Sequence, residues 1–390
     1  MSTAEALAPD TFQAAASALN AANADGRRVR IVGGATKRRW GRPGTPVDVE
    51  LRTVGLNEIV AHNDGDMTAT LQAGVPLAVA RQAFAQAGQM LSLDPPMVRD
   101  AGEGTLGATI GGIVATGDSG PLAHRYGGPR DLVVGATVAL ADGTIAKSGG
   151  TVIKNVAGYD IAKLMAGSFG TLGLILSVNV RLHPLPERTA TVVAVAPDAR
   201  RLQRAAQVLA SAPAELEALD ASWRDGQGAL LAQVAGPRTE PRAQRLAQAM
   251  ADAGLSEVRQ IADGDGPLWE AQRAEQRCTD RAIVRVAAGA AQLASVIAAA
   301  DGCGGSLVGR AALGHSWVQL EPGQIARLRS ELPAGATAIV QDLPESAALG
   351  PQADEPWGPV QPALLDLMRR LKLRFDPAGT CNPGIFVGGI

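Results

Sequence analysis

The chain has 390 residues, with 36 Lys and Arg against 38 Asp and Glu, which gives a net charge of -2. This balance excludes the broad basic surface of a general nucleic-acid binder, and the length predicts more than one domain. The apolar runs are far shorter than the roughly 20 residues of a membrane-spanning helix, and the first residues lack the pattern of a secretion signal. We therefore expect no transmembrane segment and a cytoplasmic location.

The cysteines and histidines are few and widely separated in the sequence. The three cysteines, Cys278, Cys303 and Cys381, cannot supply the four thiolates of an iron–sulfur cluster or a structural zinc site. The four histidines show no metal-ligand spacing either. The sequence therefore predicts no metal site.

The N-terminal third mixes helices and strands. Apolar residues at helical spacing predict a helix over Thr11–Ala24 with Asp10 as its N-cap, and Pro76 begins a helix that runs through Gln86 and ends at Gly88. Strands are predicted at Arg28–Val32, Val47–Leu51, Glu58–Asn63 and Thr68–Ala73.

The middle third contains a hairpin and a long buried strand. The turn Ala141–Gly143 joins strands at Leu132–Leu140 and Thr144–Lys147. A short helix over Asp160–Ala166 and a strand over Leu172–Leu182 follow.

The composition changes after the prolines at 184–186, where an Ala- and Arg-rich second domain begins. The predicted strands of this domain are Thr191–Ala196, Ala229–Val234, Ala282–Val286 and Val318–Leu320, and its predicted helices are Ala199–Ala210 and Glu240–Ala253. A further helix is predicted in the tail over Ala363–Leu371.

Glycine is concentrated in one part of the chain. Of the 46 glycines, 17 lie in the 72 residues from Gly102 to Gly173, which is typical of backbone that approaches a ligand closely or turns sharply. Upstream, the strand ending at Val32 runs into Gly33-Gly34-Ala35-Thr36-Lys37. The spacings of the Rossmann and P-loop fingerprints are absent, so this segment predicts a nest of backbone amides that suits a pyrophosphate.

Four motifs in order resemble the FAD-binding superfamily of vanillyl-alcohol oxidase, whose domain is called PCMH-type. They are the first loop Gly33–Lys37, the segment Ala108–Ser119, the segment Gly167–Ile175, and a closing Asp376-Pro377 with Asn382-Pro383-Gly384. The resemblance implies an α+β protein with a PCMH-type FAD-binding domain of two α/β subdomains, an α+β cap domain and a C-terminal segment that returns to the flavin. The corresponding boundaries are 1–186, 187–350 and 351–390.

The resemblance also implies which residues bind the cofactor. An attachment histidine is expected in the first loop, and Ala35 and Thr36 stand there instead, so the FAD is predicted to be non-covalent. The predicted FAD-binding residues are Gly33, Gly34, Ala35, Thr36, Lys37, Pro96, Gly104, Thr105, Gly107, Thr109, Gly112, Ala115, Thr116, Ser119, Gly170, Gly173, Ile175 and Asn382.

A narrower resemblance is to the second flavin subunit of bacterial glycolate oxidase, through Arg125–Asp131 and Thr151–Asp160. It implies partners, namely a larger flavin subunit and an iron–sulfur subunit, a small 2-hydroxyacid as substrate, and contact with the inner face of the membrane through those partners alone. The metal and substrate motif of the larger subunit is missing, since only His315 remains of it.

The catalytic residues are unknown at this stage, and the candidates are Tyr126, Tyr159, Arg125 and Lys154. An arginine or lysine suits a substrate carboxylate and a tyrosine can donate to an alkoxide, but ion pairs and ordinary packing explain the same residues. Two alternatives to the glycolate oxidase subunit stay open. One is an autonomous FAD-dependent oxidoreductase acting on another substrate, and the other is a non-catalytic electron-transfer or scaffold subunit.

Overall fold

The computed structural model describes residues 4–42, 45–97, 107–150, 160–344, 347 and 355–390. Within them, helices and strands are mixed throughout, so the α+β class predicted from the sequence is confirmed. The predicted boundaries between the three parts of the chain stay predictions.

The first part of the chain is built mainly from two sheets and their helices. The elements up to the end of the long buried strand are β1 Glu5–Leu7, α1 Phe12–Ala24, β2 Val29–Val32, β3 Val49–Arg52, β4 Ile59–Asn63, β5 Thr68–Gln72, α2 Leu77–Gln86, β6 Gln89–Met90, α3 Ile110–Thr116, α4 Ala123–Tyr126, α5 Pro129–Leu132, β7 Val133–Ala139, β8 Ile145–Gly149, α6 Ile161–Met165 and β9 Leu174–Arg181.

The rest of the chain forms the second domain and the tail. Its elements are β10 His183–Pro184, β11 Thr189–Ala196, α7 Ala199–Ser211, β12 Ala218–Arg224, β13 Gln227–Ala235, α8 Thr239–Asp252, β14 Ser256–Ala262, α9 Gly266–Ala274, β15 Ala282–Ala287, α10 Leu293–Gly302, β16 Ser306–Arg310, β17 His315–Leu320, α11 Ile325–Glu331, β18 Thr337–Asp342 and α12 Pro362–Phe375.

Two larger sheets of different kind form the first part, and β6 pairs with β10 in a separate two-stranded sheet. Strands β1, β3 and β2 pair in parallel, in that order, and α1 packs on them through Ala15, Ala16 and Leu19. Strands β4, β5, β9, β7 and β8 form an antiparallel sheet in that order. Strand β9 is central and almost wholly buried, which explains its continuous apolar sequence.

The cap domain is built on one antiparallel sheet of eight strands, in the order β14-β11-β13-β12-β16-β17-β15-β18. Helices α7, α8, α10 and α11 bury their apolar residues against one face. The opposite face carries α9, whose Trp269 packs on Ala218 and Leu231. Because side chains alternate between faces along a strand, this second face also receives the polar residues Asp220, Arg285 and Arg310.

The C-terminal segment returns to the first sheet, as predicted. Cys381 pairs in parallel with Val29 of β2, and the amide of Asn382 donates to the Val29 carbonyl over 2.8 Å. Cys381 is fully buried in the core beneath α1, where burial raises the pKa of its thiol. It therefore packs as a small apolar side chain.

Most predicted elements are confirmed, including α1, α2, the β7–β8 hairpin, β9 and α12. One cap was wrong: the N-cap of α1 is Thr11, whose side chain accepts from the amide of Ala14, and Asp10 lies one residue before it. Both residue types cap helices well, so composition alone did not distinguish neighbouring candidates.

Candidate functional site

A cleft opens between the two sheets of the first part, at the C-terminal end of β2. Its cavity volume is about 160 Å³, and one side of it is open to solvent. Its lining residues are Arg30, Ile31, Val32, Gly33, Gly34, Ala35, Thr36, Lys37, Arg38, Thr53, Ala73, Thr109, Gly111, Gly112, Ala115, Thr116, Phe169, Gly170, Gly173, Leu174, Ile175, Asn382 and Ile385.

The first loop forms one wall of the cleft and offers backbone donors. Within the described part of the chain, the amides of Gly34, Ala35, Thr36 and Lys37 have no protein acceptor. Ala35 has a φ of 58°, a left-handed conformation that costs a non-glycine residue energy. Successive free amides in such a turn form a concave site for an anionic group.

Two glycines that line the cleft, one in the first loop and one in α3, have different roles. A Cβ on Gly34 would lie 1.6 Å from the carbonyl oxygen of Gly107, so this glycine permits the close approach of the first loop to the second segment. A Cβ on Gly112 would meet only the Thr109 hydroxyl, at 3.2 Å. Because Gly112 lines the cleft, its missing side chain leaves open space for a ligand.

The second and third motifs form the floor and the far wall. Thr109 caps α3 by accepting from the amide of Gly112, and Thr116 at the other end donates to the Gly112 carbonyl. Asn382 accepts from the Ile31 amide over 2.7 Å and donates to the Phe169 carbonyl over 2.6 Å. One amide side chain thus joins β2, which leads into the first motif, to the third and fourth motifs.

A buried ion pair lies beside the cleft. The ammonium of Lys37 is 3.1 Å from a carboxylate oxygen of Asp118, and their side chains are only 7% and 2% exposed. Lys37 therefore links the first loop to the segment after α3, and its charge is largely balanced without a ligand.

The cap presents two further cations, the buried Arg310 and the part-buried Arg285, and Arg285 interacts electrostatically with Asp118 of this ion pair. Arg310 is 1% exposed and donates through Nη1 to Asp220 over 2.6 Å, while its Nε and Nη2 have no acceptor among the described residues. The same holds for Nε of Arg285. The guanidinium groups of Arg310 and Arg285 lie 4.7 and 6.0 Å from the centre of the Trp317 ring.

The electrostatics of this cluster are unbalanced. Burial lowers the pKa of Arg285, which also interacts with Asp118 and Arg310. Burial, together with Arg285 and Arg310, lowers the pKa of His315 to about 4. His315 is therefore neutral at neutral pH, and Asp220 is the carboxylate that pairs directly with either arginine in the described residues. Buried cations in this state favour an added anion.

The structure brings together most of the residues predicted to bind FAD. Thirteen line the cleft, and Gly107 touches its wall. Pro96 and Ser119 do not line it, whereas Gly104, Thr105, Lys154 and Tyr159 lie outside the described residues. The role of each residue toward FAD stays a prediction.

Two catalytic candidates have contacts that differ from those expected of them. The Tyr126 hydroxyl donates to Glu217 of the cap over 2.6 Å, and Arg125 pairs with the same carboxylate. Burial and this hydrogen bond raise the pKa of Tyr126. Neither residue lines the cleft, so the geometry assigns them to the junction between the first part and the cap.

Sequence reasoning missed Arg285 and Arg310. Each is a single arginine in an apolar strand, so no motif surrounds it. The available signal was a charged residue at a position whose strand neighbours are all apolar, which marks a buried charge in need of a partner.

The chemistry of the cleft fits FAD. Its free backbone amides suit a pyrophosphate, and its apolar floor at Ala115, Leu174 and Ile175 suits an aromatic ring system.

Comparison with known proteins agrees with this fit. Residues 4–149 match the family model of the FAD binding domain, and residues 358–385 match the C-terminal domain of FAD linked oxidases. FAD is therefore the cofactor of this chain. None of the helices in the described ranges has the length and apolar character to span a membrane.

Two curated relatives match part of the chain. Glycolate oxidase subunit GlcE of Escherichia coli (strain K12) is 35% identical over 177 residues, which are 45% of this chain and 48% of that protein. Glycolate oxidase subunit GlcD of Bacillus subtilis (strain 168) is 34% identical over 171 residues, 42% of this chain and 34% of that protein. The match thus spans half or less of each relative.

A solved structure, that of alkyldihydroxyacetonephosphate synthase, has the same fold over nearly the whole chain. The TM-score is 0.66 at 15% identity, covering 97% of this chain and 75% of that one. At this identity the likeness extends to the fold alone.

Proposed function

We propose that this chain, a flavoprotein with a PCMH-type FAD-binding domain, is the FAD-containing subunit of a complex that oxidises a small 2-hydroxyacid such as glycolate. In that complex it either oxidises glycolate to glyoxylate or relays the electrons to an iron–sulfur partner. The location that goes with this proposal is the cytoplasm, with membrane contact through the partners only.

The observation that carries the proposal is the pair of under-satisfied arginines in the cap. Arg310 is buried and Arg285 part-buried, both lie on one face of the sheet, and together they have three donor nitrogens without acceptors in the described residues. The charge of Arg285 interacts electrostatically with the Asp118 carboxylate, and Asp118 pairs with Lys37 at the cleft. A guanidinium group binds a carboxylate through parallel hydrogen bonds. The carboxylate of a small acid is therefore the expected occupant.

These positions suggest which roles belong to the cofactor and which to the residues of the chain. FAD, when bound, supplies a two-electron acceptor for the oxidation of the hydroxyl-bearing carbon. The chain's own residues bind and orient: the first loop and α3 hold the cofactor, and the arginines hold the acid from the cap side.

The electrons then need an exit. Three scattered cysteines cannot provide the thiolates of an iron–sulfur cluster, so we assign the one-electron centres to a partner. That two relatives are named as subunits of glycolate oxidase supports this assignment.

The test is affinity purification of the tagged chain from its source, followed by glycolate oxidation with an artificial acceptor. We expect a larger flavoprotein and an iron–sulfur protein to co-purify, and we expect the isolated holo chain to turn over far more slowly than the complex. Full turnover by the chain alone would instead support an autonomous enzyme.

A variant separates oxidation from relay. If this chain binds the acid, Arg285→Met in the complex raises the KM for glycolate about tenfold or more, because a charge-assisted hydrogen bond is lost. The matched control is Arg259→Met on the exposed edge strand β14, which should leave the KM unchanged. An unchanged KM in both variants would favour a relay or scaffold role.

A further inference from the structure

Arg277 connects the cap to the first loop of the FAD cleft. Its Nη2 donates to the carbonyl of Thr36 over 3.1 Å, across the junction between the two parts of the chain. Thr36 is one of the four consecutive loop residues, 34–37, whose amides lack protein acceptors among the described residues. The arginine therefore contacts the part of the loop that lines the cofactor cleft.

The arginine is held firmly at this position. Its Nε donates to Asp342 of β18 over 2.5 Å, and its guanidinium group lies 5.2 Å from the centre of the Trp40 ring. The Trp40 indole donates to the other oxygen of Asp342 over 3.2 Å. Asp342 and Trp40 are 1% and 2% exposed and the Arg277 side chain is 17% exposed, so these three side chains and the Thr36 carbonyl form one largely buried cluster.

The loop needs such a contact from outside. Its amides face the cleft without protein partners, and Ala35 is in a left-handed conformation. Nothing in the sequence of the loop itself favours that conformation, since alanine enters it at a cost. A fixed carbonyl at Thr36 limits the rotation of the neighbouring peptide units and keeps the amides convergent.

We propose that Arg277 is a positioning residue for FAD: from the cap, it fixes the first loop in the conformation that binds the pyrophosphate. The cap is then part of the cofactor site, and the affinity for FAD depends on the cap being docked. This inference rests on FAD as the cofactor and is independent of the substrate proposed above.

The test is the dissociation constant of FAD, measured as quenching of flavin fluorescence when the full-length apo chain is titrated. We expect Arg277→Met to raise this constant about tenfold or more, as the loss of a charge-assisted hydrogen bond predicts, with the melting temperature of the apo chain recorded beside it. The matched control is Arg281→Met, which removes contacts to Gly304 and Glu321 within the cap only and should leave FAD affinity unchanged.

A second variant covers a loss of stability. Arg277→Lys keeps a cation opposite Asp342 but lacks the planar fork that joins Asp342 and Thr36 simultaneously. We expect it to keep the apo melting temperature and still to weaken FAD binding. Wild-type FAD affinity in both the Lys and Met variants would overturn the proposal. Because no acid substrate enters this measurement, its outcome is separate from that of the glycolate experiments.

Discussion

At the scale of single residues, the glycines of the cleft show how one residue type meets two different demands. Gly34 allows backbone to contact backbone, whereas Gly112 leaves room on the ligand side. Sequence alone predicted that both positions bind FAD, because both lie in motifs made of consecutive residues. Which of them faces the cofactor depends on the direction of a missing Cβ, and that direction is fixed only in three dimensions.

The contrast makes a prediction for Gly112. We expect Gly112→Val to weaken FAD binding by at least about tenfold while the apo chain stays folded, because the added methyl groups enter the cleft, and overpacking there costs about 1–3 kcal/mol. Flavin content after dialysis against FAD and the apo melting temperature measure the two effects. Gly65→Val, in an exposed turn with open space around it, is the control. Full flavin content in the Gly112 variant would show that this position does not face the cofactor.

The residues that sequence could not place are the isolated arginines. Arg277, Arg285 and Arg310 come from three different places in the cap, and each meets the FAD-binding part only through the fold. Long-range polar contacts of this kind leave no local pattern, whereas a loop such as Gly33–Lys37 carries its function in consecutive residues.

At the scale of elements, the sequence predicted the long helices α7 and α8 and the apolar strands β11, β13 and β15 of the cap, but not helices α9 to α11 or strands β12, β14, β16 and β18. Strand β12, Ala218–Arg224, was missed because Asp220 and Ser222 interrupt its apolar residues. Both faces of the sheet are covered here, one by helices and the other by α9 and the junction with the first part, so polar residues are buried on the second face. The usual alternation of apolar and polar residues therefore did not signal a half-exposed strand.

Helix α12 shows how one element fixes the returning tail. The ammonium of Lys372 donates to Asp376 over 2.6 Å, to the Thr171 carbonyl over 2.7 Å and to the Cys381 carbonyl over 2.9 Å. This buried group ties the helix to the third motif and to the closing segment at once. Sequence predicted the helix but not this role, since Lys372 lies among several basic residues.

We expect Lys372→Met to lower the free energy of unfolding by about 3–5 kcal/mol, because it leaves the buried Asp376 carboxylate without its cation. Denaturant unfolding of the apo chain measures this loss. Arg369→Met, on the same helix, removes an exposed pair with Asp366 and should cost at most about 1 kcal/mol. Equal small effects in both variants would mean that the tail is held by its backbone pairing alone.

At the scale of the whole molecule, side-chain contacts in at least three places join the first part of the chain to the cap. Tyr126 and Arg125 meet Glu217, and Asp94 pairs with Arg273. Trp40 donates to Asp342, and the Thr36 carbonyl accepts from Arg277. The sequence predicted two domains and a returning tail, because composition and motifs mark them. It did not predict these contacts, because each joins side chains more than 90 residues apart.

The central claim is that electrons from a small 2-hydroxyacid reach the flavin held in this cleft. The most direct measurement is the visible flavin absorbance of the purified complex during anaerobic addition of glycolate, compared between the wild-type chain and the flavin-deficient Gly112→Val chain. We expect glycolate to bleach one more flavin per complex with the wild-type chain than with the variant. A flavin in the wild-type chain that dithionite reduces but glycolate leaves oxidised would contradict it.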